Sequence, residues 1–240
     1  MSKRNKFFLT HLVISVAIGL LILSLVLLGW YPAPLAEALG VAHILLIVLL
    51  IDVIIGPILG FFVYKEGKKS LKIDLTVIII LQLAALIYGL FYIYQGRPIA
   101  LAFQNNQFEL VRYNDIVAGD KTPEISWFNP KLVAVEMGKT AEQKNHYFSE
   151  EMRTGVMAAY RPERYIAIDT VEMQLLNEKR SLGELVKYNI QIEIDSVLKD
   201  YPTAVGWLPL RVMSGLDMVV LIDENGAVVK VVDLRPWKLA

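Results

Sequence analysis

Residues 43–64 read HILLIVLLIDVIIGPILGFFVY, and residues 75–94 read LTVIIILQLAALIYGLFYIY. The first run carries one acidic residue, Asp52, and the second carries Gln82. Each is about 20 residues, or about 30 Å as an α-helix, which matches the hydrocarbon thickness of a bilayer. Soluble core helices are seldom apolar on every side over that length. Back towards the N-terminus, Phe7 to Gly29 is a third such run, broken only by Thr10, His11, Ser15 and Ser24. The basic start (Lys3, Arg4, Lys6) would suit a signal peptide. The apolar run exceeds the usual length of about 7–15 residues and two more runs follow, so it reads as an uncleaved span.

Composition agrees. The chain is 55% hydrophobic and 20% charged, against about 25% charged for a soluble domain. Its mean hydropathy is +0.47, and the apolar excess lies before residue 97. The pattern predicts two regions, a three-helix transmembrane region over residues 1–96 and an extracytoplasmic α+β domain over residues 97–240. Net charge is zero and no basic patch follows residue 100, so nucleic acid is not an expected partner. The absence of cysteine excludes thiol catalysis, disulfides and cysteine metal sites.

Lysine and arginine placement sets the orientation. The N-terminus has Lys3, Arg4 and Lys6, and the second loop has Lys65, Lys68, Lys69 and Lys72. The first loop, Trp30 to Ala42, has neither residue type. The N-terminus and second loop are therefore expected in the cytoplasm, and the chain from residue 97 outside it. Trp30, Tyr31, Tyr88, Tyr92 and Tyr94 would ring the outer interface, with Tyr64 at the inner one.

Asp52 is the most informative residue of the spans. A carboxylate in mid-bilayer costs on the order of 3 kcal/mol on insertion scales, so it must face protein or water, or hold a proton. Gly56 and Gly60 follow at four and eight residues, in a small-xxx-small spacing that lets backbones approach. Pro57 removes a helical hydrogen bond and predicts a kink. The third helix offers Gln82, Ala85 and Gly89. Counted from Tyr64 and Ile73, Asp52 lies about 18 Å deep and Gln82 about 13 Å. The two stripes are thus expected to pack antiparallel, with Asp52 near Gln82. The same polar-and-small face could dock another transmembrane helix or serve packing within the chain, and the residues leave both open. A proton or ion relay at Asp52 is disfavoured, because a relay needs several ionisable groups along a path and the spans show one. Asp74 is expected to pair with Lys72 or Lys69.

Arg97 and Pro98 read as an interface anchor, the arginine snorkelling to headgroups. Beyond them, alternation predicts strands at Ala100–Phe103, Phe108–Tyr113 and Leu132–Met137. Thr140–Arg153 is helix-prone. Ser181 with Glu184 has capping-box spacing and would open a helix burying Leu182, Leu185 and Val186. Ile190, Ile192 and Ile194 alternate with polar residues as a strand would, and helix to about Lys199 is the favoured reading. Trp207–Val212 and Asp217–Ile222 read as strands. Asn225-Gly226 is a hairpin signal, with Ala227–Val232 returning, so the domain is expected to close on an antiparallel hairpin.

No catalytic signature appears. There is no GxSxG, Walker, GxGxxG or HExxH pattern. His146 and Glu150, at i and i+4, are two ligands where a metal site needs more, and a solvated helix face is the simpler reading. No enzyme activity, cofactor or metal is expected.

Several blocks together carry a family resemblance. They are Asp52-x-x-x-Gly56-Pro57, Gly67-Lys68-Lys69-Ser70-Leu71-Lys72-x-Asp74-Leu75, Gln82-Leu83-x-x-Leu86-x-Tyr88-Gly89 and Arg97-Pro98, with Leu208-Pro209-Leu210, the Asp223–Gly226 turn and Pro236-Trp237 near the end. This pattern resembles the type IV pilin accessory proteins of the TfpX/TfpZ kind, also called FimB-like. The likeness is densest from Asp52 to Pro98 and looser in the first helix. It implies a non-enzymatic factor of the Gram-negative inner membrane that binds or stabilises a cognate major pilin before or during assembly. The resemblance transfers no catalytic residue. The polar-and-small face could hold the pilin helix and the outer domain could meet the pilin head. A homo-oligomer of the chain is compatible with this reading. Two alternatives are a membrane sensor or regulatory subunit, which the short cytoplasmic segments disfavour, and a pilin-modifying enzyme.

Overall fold

The computed structural model describes residues 1–117 and 126–238. Three helices are long and apolar enough to cross a membrane: α1 Lys3–Trp30, α2 Val41–Val63 and α3 Leu71–Gln95. Only 22%, 28% and 17% of their most apolar windows are buried by the protein, so most of each helix surface calls for an apolar solvent. The chain divides into two compact units, Met1–Ala36 with Gly40–Arg97, and Glu37–Leu39 with the chain from Pro98 onward.

In the first unit, Ser2 caps α1 by accepting from the Asn5 N–H at 3.2 Å. The turns Leu25–Trp30 and Ile51–Ile55 are π-helical. The second of these widens α2 just before Gly56 and Pro57, with the Gly56 N–H reaching back to the Ile51 carbonyl. The missing proline donor is thus met by a π-bulge in the hydrogen-bond ladder. At one end of the unit the Tyr31 hydroxyl donates to the Ile93 carbonyl at 2.7 Å, and Trp30 meets Tyr94 edge-on. At the other, Phe7 stacks on Tyr64 and Lys3 pairs with Glu66. Two expectations change here. Trp30 and Tyr31 are buried, so of the expected aromatic ring Tyr88 and Tyr92 are the exposed members. Asp74 pairs with Lys68 at 2.6 Å, because Ser70 also donates to it and draws it towards the loop.

The second unit is built on a seven-stranded sheet. Its strands are β1 Pro98–Gln104, β2 Gln107–Arg112, β3 Lys131–Val135, β4 Tyr165–Ala167, β5 Ala204–Arg211, β6 Met218–Asp223 and β7 Val228–Val232. Their spatial order is β4-β3-β1-β2-β5-β6-β7. The β1–β2 hairpin turns on Asn105 and Asn106, both at positive φ, which suits the twist of two-residue hairpin loops. The expected closing hairpin is present as β6 and β7. The sheet as a whole is mixed, because β3 runs parallel to β1 and β5 parallel to β2. Parallel neighbours need long crossovers, which local turn signals do not reveal.

Helices α4 Ala141–Thr154, α5 Glu172–Glu178 and α6 Gln191–Asp200 complete the unit. The capping box that forms is at Thr140 and Gln143, opening α4. The one expected at Ser181 does not form. The backbone there is drawn to β5, with Arg180 and Trp207 exchanging N–H···O bonds at 2.8 and 3.0 Å, and the Trp207 indole donating to the Ser181 carbonyl. Residues Leu182–Lys187 make a 3₁₀ stretch that buries Leu185 and leaves Val186 exposed. The chain breaks before α6, where Ile194 turns inward and Ile190 and Ile192 stay out. Trp207, Val219 and Leu221 pack with Leu185, Ile194 and Leu234 in one core cluster. Ala100, Ala102 and Val111 pack under Ala158–Tyr160 in another.

Candidate functional site

Asp52 and Gln82 meet inside the helical unit. The Gln82 Nε2 donates to the Asp52 carbonyl at 3.0 Å and to Asp52 Oδ1 at 3.3 Å. Asp52 is 5% exposed and Gln82 7%, so this contact is withdrawn from lipid. Gly56 makes room for it, since a Cβ there would stand 1.7 Å from Gln82 Nε2. The amide of α3 therefore occupies the space that a side chain at Gly56 would need. Pro57 and Gly60 are buried as well.

The stripe does not serve a single partner. A Cβ on Gly60 would meet the Phe7 ring at 3.0 Å and His11 Nδ1 at 3.5 Å, so Gly60 faces α1. At 100° per residue, eight residues turn the helix about 80° past the starting face. Gly89 faces α2, where its Cβ would lie 2.5 Å from Val48 Cγ2. Ala85 is exposed, which corrects its expected place on the stripe. The buried line of α3 runs through Gln82, Leu86 and Ile93, and Ala85 falls on its flank.

His11 is the member that the sequence reading passed over. It is half-buried on α1, interacts electrostatically with Asp52 and lies beside Gln82. Its Nδ1 and Gln82 Oε1 are buried with no hydrogen-bond partner among the described residues. One polar side chain thus comes from each long helix. Depth counting would have found it, for eight residues from Lys3 is about 12 Å, level with Gln82.

Arg97 is packed against the protein. It is 2% exposed, its guanidinium lies 3.8 Å over the Tyr94 ring, and Nη1 donates to the Tyr94 carbonyl at 2.9 Å. A helix C-terminus and a ring face together attract the cation more closely than the interface would. Pro98 is buried and starts β1.

In the sheet unit, His146 and Glu150 part company. His146 is exposed, while Glu150 pairs with Arg161 at 3.2 Å. Among the described residues no three His, Cys, Asp or Glu side chains gather as a metal site would require. The C-terminal Pro236-Trp237 has a structural partner in Asp217. Its carboxylate accepts from the Trp237 indole at 2.9 Å and from the Val212 N–H at 2.7 Å, and its carbonyl accepts from Arg235. Glu109 on β2 is 2% exposed. Burial pushes its carboxyl above the usual range, against a 2.6 Å bond from Gln107 and the nearby Arg211.

A model of the fimbrial assembly protein FimB matches residues 1–40. The fimbrial assembly protein of Dichelobacter nodosus serogroups C1 and C2 is 33% identical over 116 residues, covering 48% of this chain and 88% of that protein. The chain belongs to the FimB family of fimbrial assembly proteins. The serogroup I and E1 proteins of the same organism are 25% and 26% identical over 244 residues, each alignment spanning 95% of this chain and 94% of the relative. No solved structure matches the chain. The FimB match falls on α1 and the first loop, where the resemblance had looked looser than from Asp52 to Pro98.

Proposed function

We propose that the chain is a non-enzymatic accessory factor of type IV pilus biogenesis, which binds or stabilises a cognate major pilin in the Gram-negative inner membrane. The similarity over 95% of the chain to fimbrial assembly proteins carries this reading. Three span-capable helices beside a separate sheet unit support it, since a membrane-held pilin has a helix in the bilayer and a head outside it. The N-terminus is assigned to the cytoplasm and the sheet unit to the periplasm, from the lysine distribution.

Asp52, Gly56 and Gln82 are filled by the chain's own helices, so a pilin helix would meet other faces. Ile55 and Leu59 of α2 are exposed, and Ile54 lines an apolar groove of about 300 Å³ between α1 and α2. Photo-crosslinking residues at these three positions, in cells making the cognate pilin, test the proposal. A pilin adduct that disappears when pilin is deleted is the expected result. No adduct from any of these positions or from the sheet surface, together with unchanged pilin levels on deleting this chain, would overturn it. Pilin of unchanged mass with and without the chain is expected on the non-enzymatic reading.

A further inference from the structure

We propose that His11 and Asp52, joined through Gln82, form an intramembrane proton site that takes up one proton when α1 closes on α2 and α3. The inference is independent of the pilin reading and rests on the three helices lying in a bilayer.

The argument begins with hydrogen-bond accounting. Gln82 Nε2 is directed at Asp52, at both its carbonyl and its carboxylate. That leaves Gln82 Oε1 as a buried acceptor and His11 Nδ1 as a buried ring nitrogen, neither with a partner among the described residues. The two atoms are complementary, since a protonated Nδ1 donates and a carboxamide oxygen accepts. A small rotation or one bridging water would complete a line from His11 through the amide to the Asp52 carboxyl.

Charge supplies the second step. The titratable groups facing this point are His11 from α1 and Asp52 from α2, while α3 contributes the neutral Gln82. The basic residues of the unit lie at the helix starts, in the second loop and, as Arg97 over Tyr94, just after α3. Of these, Lys3 pairs with Glu66, Lys68 with Asp74, and Arg4 sits over the Phe61 ring. Each of these three cations is thus engaged away from Asp52. An ionised carboxylate beside a neutral imidazole would leave a net negative charge in hydrocarbon, which is strongly disfavoured. One added proton brings the pair to zero. When α1 is apart and the cluster is wetted, the carboxylate ionises and that proton returns to water. Closure and proton binding are therefore linked, and closure weakens as pH rises.

The test uses the full chain, which has no cysteine of its own. Nitroxide labels go on Leu9→Cys and Phe62→Cys, exposed positions of α1 and α2. The chain is placed in mixed micelles at partial denaturation, and the closed population is read from the inter-label distance. As pH rises above the ordinary histidine value of about 6.5, the closure constant is expected to fall, by at most about tenfold per pH unit, the slope of one proton. Asp52→Asn keeps a carbonyl for Gln82 and removes the titration, so its closure is expected to be independent of pH. A pH-independent wild type, or an Asp52→Asn variant that keeps the slope, would overturn the proposal. Should Asp52→Asn fail to assemble, the wild-type titration decides alone.

Discussion

The helical unit and the sheet unit hold together by different means. The sheet unit buries Trp207, Phe108, Leu208, Leu210 and Leu221 completely, and in water that burial is the dominant stabilising term. The helical unit leaves Leu21, Leu28, Leu46 and Ile87 open. Lipid is as apolar as leucine, so burying those side chains against each other would gain little. What decides helix pairing there is the seating of Gln82, Phe7 and Val48 side chains against Gly56, Gly60 and Gly89, and the bond between Gln82 and Asp52. Polar residues thus decide the pairing in one unit, whereas in the other they accompany an apolar core: Asp217 and Asn189 fasten the C-terminal segment and Glu109 is buried on β2.

This contrast can be broken by substitution. Trp207→Ala should have the largest effect, a loss of about 3–5 kcal/mol from the sheet unit, seen as a lowered thermal transition. If the helical unit obeyed the same rule, its exposed leucines would matter equally. Gln82→Leu, which adds apolar surface, should instead weaken helix association by about 1–2 kcal/mol in mixed-micelle unfolding. Gly56→Ala should cost a similar amount, because its Cβ displaces the same amide. The double variant should cost little more than either single one, as one shared contact is lost once.

Glu109 sharpens the comparison on the sheet side. Burial raises its carboxyl in the folded state, so the folded protein holds a proton that the unfolded chain releases at lower pH. Its contribution is fully present below the unfolded value, about 4.3, and is lost as pH rises through the folded one. Glu109→Gln should flatten the stability of the sheet unit across that window, and an unchanged pH slope would remove Glu109 from the account. The smallest effect belongs to Ala85→Leu. Its exposure places it outside the helix contacts, so helix association should change by no more than about 0.5 kcal/mol.

The spans were legible because about 20 apolar residues in a row admit few other structures. The nearness of Asp52 and Gln82 followed from counting depth along two antiparallel helices. Gly60 and Ala85 did not, because nominal i, i+3 and i, i+4 stripes drift around the helix and divide between neighbours. His11 was passed over as an interruption in an apolar run, although the same depth count reaches it. In the sheet unit, the hairpin turns and the Thr140 helix start were readable from local chemistry. The parallel joints and the lost Ser181 cap were not, since the partners of β1, β2 and Arg180 lie far along the chain.

The central claim is that the polar-and-small stripe is used by the chain's own helices. Paired cysteines in this naturally cysteine-free chain test it most directly, in membranes from cells that lack pilin. A pair at Val48 and Gly89 should form a disulfide, because these positions touch across α2 and α3. A pair at Gly56 and Ala85 should not, because Ala85 is exposed and lies off the buried line of α3. No disulfide at Val48 and Gly89, with both cysteines labelled, would contradict the account and would return the stripe to the surface offered to a partner helix; a disulfide at Gly56 and Ala85 instead would keep the stripe within the chain and change only its register.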